Sequence, residues 1–145
     1  MHTIKAEPGC HFNDIVVSPS DIDTFALASE DGSVTVRELL VSQSGSSFVF
    51  DDASNQTITS ETRHFVQHSS KGIDHLVFFA SRYTSYCAAS GSTVYSGNSD
   101  AQINLKSSIT QLKTFKSSSG TPVIAAGLGR VGEIHLLETD YLTCI

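Results

Sequence analysis

An all-β fold follows from three features of this 145-residue sequence. Charged residues make up only 17% of it, against about 25% in an ordinary globular domain, and Ser and Thr are abundant in their place. β-branched and aromatic residues dominate the apolar runs, and few windows carry apolar residues at i, i+3, i+4 and i+7. The runs are short and punctuated by Gly, Ser, Asn and Asp, which is the grammar of strands and turns.

In chain order, a first strand is expected at 14–18, where Ile15-Val16-Val17 closes in Ser18-Pro19. The small apolar run Phe25-Ala26-Leu27-Ala28 gives a second at 24–29, and Glu30-Asp31-Gly32 turns it into a third at 33–39. Residues 41–62 read as an insertion, a long hairpin or loop around a short strand at 48–51, or a protrusion that binds a partner. Beyond it the expected strands are 63–67, 75–80, 85–90, 93–96, 102–106, 109–115, 122–126, 133–137 and 141–145.

The net charge of -6 and the scattered Lys and Arg argue against a nucleic-acid surface, because phosphate neutralisation needs clustered cations. An acidic surface favours partners with basic segments. There is no apolar run long enough to span a bilayer and no charged-then-apolar leader, so an intracellular protein, cytoplasmic or nuclear, is the expectation. Cys10, Cys87 and Cys144 are odd in number and lack C-x-x-C spacing, so they read as free thiols in a reducing compartment.

The strands recur as three related units, at about 10–62, 63–106 and 107–145. Each has a strand ending in Ser, a small-residue strand around a central Ala, a Gly-containing turn and a β-branched strand. Ala28, Ala89 and Ala126 hold equivalent places. Ala89 and Ala126 lie 37 positions apart, near a propeller-blade repeat, and the insertion accounts for the longer first interval. Small residues in the second strand suit sheets that pack face to face.

These repeats resemble the blades of WD40-type β-propellers. Val17-Ser18-Pro19 through Phe25-Ala26-Leu27-Ala28-Ser29-Glu30-Asp31-Gly32-Ser33-Val34-Thr35-Val36 is the strongest match, with Arg37-Glu38 where the family carries Trp-Asp. Arg63 to His68 followed by Ile73 to Phe78 is similar to an outer strand, the Gly-His loop and the next inner strand, with Gln67 in place of Gly. The resemblance implies about three four-stranded antiparallel blades, a partial β-propeller, since a closed ring needs at least four. A chain of this kind is expected to be a fragment or one part of a larger propeller, as its apolar end at 141–145 suggests. It also implies blade-locking hydrogen-bond groups: His11, Ser29 and Asp31 in the first unit, and His68 and Ser90 in the second. No unit carries the complete set.

Catalytic motifs are absent from the expectation. His64, His68 and His75 lack a metal-ligand spacing, and His68 is read as a structural loop residue. His11, Asp14 and Ser18 come without a nucleophile elbow. Gly127-Leu128-Gly129-Arg130-Val131-Gly132 matches a dinucleotide fingerprint in spacing only, since no crossover helix follows, and reads as a hairpin turn. Asp51-Asp52 and Glu30-Asp31 read as solvated or turn-capping pairs, and Phe78, Phe79, Tyr83, Tyr86 and Tyr95 as core. The function expected is therefore a non-enzymatic, cofactor-free scaffold for protein–protein interaction, with a further propeller segment or a second copy of the chain among its expected partners. The alternative is a small β-sandwich or barrel that binds a small ligand or hydrolyses one.

Overall fold

The computed structural model describes residues 2–6, 8–43 and 56–145. They form eleven strands and no helix, so nothing among them is a helix long and apolar enough to cross a membrane. The expected strand at 48–51 and the Asp51-Asp52 pair lie outside the described residues.

β1 (Phe12–Val17), β2 (Thr24–Ser29), β3 (Ser33–Gln43) and β4 (Gln56–Gln67) form one antiparallel meander. β5 (His75–Phe78), β6 (Tyr86–Ser90), β7 (Thr93–Ser96) and β8 (Gln102–Asn104) form a second, and β9 (Gln111–Lys116), β10 (Pro122–Leu128) and β11 (Glu133–Glu138) a third. Each sheet is built only from consecutive strands, and none closes on itself. Residues 63–67, which open the second sequence unit, belong to β4, so sequence units and sheets are offset by one strand.

The sheets pack face to face, with β6 in the middle. Its Tyr86 and Ala88 join Ala26, Ala28, Val34, Val36 and Leu76 in one core, toward the first sheet. Its Cys87 and Ala89 join Leu112, Ile124, Ala126 and Leu137 in the other, toward the third. The period of two along a strand sends successive residues to opposite faces, and small side chains on both faces let both neighbours approach. The first strands are neighbours too, β1 against β5 and β5 against β9.

The register slips between Val36 and Arg37, and past the end of β2, strands β3 and β4 continue as a two-stranded arm from Leu39↔Ser60 to Gln43↔Gln56. The insertion therefore begins and ends as hairpin. Arg37 ties the arm's base: its guanidinium donates to Ser60 Oγ, Ser60 O and Thr62 Oγ1, each at 2.8 Å.

The expected strand at 141–145 is corrected to a turn with one bridge, Leu137↔Cys144. The Glu138 carboxylate accepts hydrogen bonds from the backbone amides of Asp140, Tyr141 and Thr143, and Leu142 has φ 57°. A side chain that gathers three amides and a left-handed residue cannot leave the segment extended. The third sheet consequently has three strands rather than four.

Candidate functional site

The connection between β4 and β5 carries the chain from the first sheet to the second, and both sheets hold it. Gly32 O accepts from the amides of His68 and Ser69, at 3.0 and 3.3 Å, and Ser29 O accepts from Ile73 N at 3.0 Å. Asn13 Nδ2 donates to Ile73 O at 2.9 Å, and Leu76 N donates to the Asp14 carboxylate at 3.1 Å. From the second sheet, Ser90 Oγ donates to Gly72 O at 2.8 Å, while Asp74 accepts from Gly91 N at 3.0 Å. Gly32 has φ +90°, and a Cβ there would stand 1.9 Å from Ser69 O, so the loop seats on bare backbone.

Four of the five predicted locking residues take part around this crossing, but not as one relay. Ser29 Oγ accepts from Asp31 N at 3.4 Å; Asp31 accepts from Ser33 N at 2.9 Å and from Ser33 Oγ at 2.6 Å. The Ser33 hydroxyl chiefly holds the Asp31 carboxyl below its ordinary range. Ser90 holds the crossing loop, and His68 turns away from both to Tyr86. His11 gives only its carbonyl, accepting from Glu30 N at 2.8 Å, and its side chain is exposed.

A cluster of His and Tyr side chains joins the first two sheets. His64 on β4 and His68 just after it face the second sheet, and Tyr86 and Tyr95 meet them from β6 and β7. Tyr86 is fully buried, and its hydroxyl lies 2.7 Å from His68 Nε2. Its ring takes edge-on contacts from His64 and His68 at centroid distances of 5.8 and 5.7 Å, and His68 lies 5.5 Å from Tyr95. Gly97 makes room: a Cβ there would meet Tyr86 Cε1 at 2.4 Å.

Burial, with the neighbouring His64 adding to it, pushes the His68 imidazole down to about 4, and burial lowers His64 as well. Burial raises the Tyr86 phenol. All three are neutral near pH 7, so this cluster packs and hydrogen-bonds rather than exchanging protons at that pH. His64 Nε2 is buried and has no hydrogen-bond partner among the described residues. A cleft of 430 Å³ opens beside the cluster, lined by His64, His68 and Tyr95 and by Asn98, Asp100 and Gln102 around the β7–β8 turn.

The other sequence candidates are dispersed. Among the described residues no three His, Cys, Asp or Glu side chains converge in a way that could hold a metal, and His75 pairs with Ala89 away from the other histidines. Ser18 and Asp14 are engaged separately, with Asp21 N and Leu76 N, and neither has His11 as a partner. Of residues 127–132, Gly127 and Leu128 end β10 and the other four form the β10–β11 hairpin turn, closed by Val131 N and Gly132 N donating to Leu128 O. Cys87 is buried, its thiol pushed up to about 12 by desolvation, which makes it inert.

Reading Tyr86 as core was right for its ring and missed its hydroxyl. Asn98 and Asp100 gave no signal in the sequence beyond turn chemistry, and Gln102 none beyond opening the expected strand at 102–106. The alternation Val94-Tyr95-Ser96 did carry one: it sets Tyr95 opposite to Val94, on the face of the histidines. No family model matches the chain, and no curated protein matches it.

Proposed function

We propose that the chain is a sector of a WD40-like β-propeller with a non-enzymatic role, a scaffold for protein–protein interaction that further sheets complete. The observation that carries this reading is the pair of open end faces. On the first sheet, Ile15, Val17 and Phe65 point away from the stack, Ile15 with 61% of its surface exposed. On the third, Phe115, Leu136 and Ile134 do the same, Ile134 at 73%.

On the third sheet these side chains flank Val123, Ala125 and Gly127 of β10, a row of small residues like the covered rows of β6. Apolar side chains around a small-residue strand suit another sheet laid against them. Three meanders stacked through small second strands, with their first strands adjacent, support the propeller geometry over a sandwich or barrel. Ser29, Asp31, His68 and Ser90 then act as locks on the crossing between blades.

Thermal unfolding at protein concentrations spanning two decades tests the reading. If the end faces need cover, the midpoint rises with concentration, because association stabilises the folded state by mass action. A single sharp transition whose midpoint ignores concentration counts against it.

A further inference from the structure

We infer that the cleft between the outer edges of the first two sheets binds an arginine side chain presented by a basic segment of a partner protein. This rests on the scaffold reading and gives it a partner chemistry. Among the described residues Asp100 is the only formally charged side chain lining the cleft near neutral pH, and it stands at the exposed β7–β8 turn without an ion-pair partner among them. Beside it Gln102 supplies a side-chain carbonyl oxygen, and Asn98 supplies another that already accepts from the Ser96 hydroxyl and has one lone pair left.

Tyr95 forms an aromatic wall, half-buried and tilted 36° against His68, and among the described residues no Lys or Arg lines the cleft to compete for it. A guanidinium answers these features together: a positive charge for Asp100, a planar group for the tyrosine face, and several donors for the remaining acceptors. A carboxylate or phosphate finds no cation here, and a purely apolar side chain leaves the acceptors dry.

Titrating the full chain with N-acetyl-arginine N′-methylamide, followed through the ring resonances of His64, His68 and Tyr95 by NMR, tests this directly. Lysine and norleucine analogues serve as comparators. The expected result is saturable shifts of those rings with the arginine probe, affinity at least about tenfold weaker for Asp100→Asn, and weakening by salt. Because Asp100 is exposed at a turn, that variant should keep the wild-type melting curve; Tyr95→Leu gives a second, independent loss of binding.

Equal binding of norleucine, an unchanged affinity in Asp100→Asn, or shifts that never saturate would overturn the assignment. Equal affinity for the lysine probe would overturn it as well, since planar contact with Tyr95 separates the two cations. A single amino-acid probe reads the cleft whether or not the end faces are covered, so this outcome and the concentration dependence of unfolding are separable.

Discussion

At the scale of single residues, two polar groups tie stability to pH in the same direction. His68 is held neutral by burial, with a folded value near 4 against an ordinary 6.5. The unfolded chain takes up this proton at a higher pH than the folded one, so the neutral-state contribution is complete above pH 6.5. It is lost as pH falls from there toward 4, by at most about 3 kcal/mol. Denaturant unfolding between pH 4 and 7.5 should show this slope, and His68→Gln should flatten it; an unaltered slope in the variant would place the titration elsewhere. Asp31 acts further down. Its folded value is depressed by Ser33, so its contribution is present above the ordinary carboxylate value of 3.8 and disappears as pH falls through the folded one. Asp31→Ala should cost about 1 kcal/mol at pH 7, since two hydrogen bonds to a partly exposed turn are lost, measurable as a lower melting temperature. No change in that temperature would show the turn to be held by Gly32 and its loop alone.

At the scale of elements, strand order and turns were legible because the code for them is local. Thr24–Ser29 and Thr93–Ser96 stand where the alternation and flanking turns put them, and the Asp-Gly turn joins β2 to β3 as expected. What was not legible depends on contacts distant in sequence. The arm arises because β3 and β4 run on past the end of β2, which no local pattern announces. The segment 141–145 looks apolar enough for a strand, yet Glu138 captures its amides. The histidines were visible as a group, but only the fold could bring Tyr86 and Tyr95 to them or leave His75 out. Gly97 shows the same dependence: it reads as an ordinary turn glycine and proves to be the floor beneath the Tyr86 ring. Gly97→Ala should displace that ring and destabilise the fold by roughly 1–3 kcal/mol, as overpacking in a well-filled core does. The measurement is chemical denaturation alongside the Tyr86 ring resonances, and a variant with native stability and native ring shifts would contradict the contact.

At the scale of the whole molecule, the middle sheet is covered on both faces and the outer two on one face each. That asymmetry makes the second sheet the centre of the structure. Its β6 combines a fully buried tyrosine with small neighbours, so each side can take a sheet, and β10 repeats the small-residue row on a face that has no partner here. Ser29, Asp31, Ser90, the crossing loop and the cleft proposed for arginine all lie at the junction of the first two sheets. On our proposal recognition and cohesion share this seam, while the two end faces are left for further sheets. The sequence repeats anticipated the number of sheets and their small second strands; the direction in which each side chain faces came only with the register.

Sedimentation equilibrium of the chain beside Ile15→Glu and Ile134→Glu tests the central claim most directly, because each substitution places a charge on one open end face and leaves the shared cores intact. Reversible association that strengthens with concentration, and that either substitution weakens, is the expected result. A wild-type chain that stays monomeric at every concentration and unfolds in one cooperative step would contradict it.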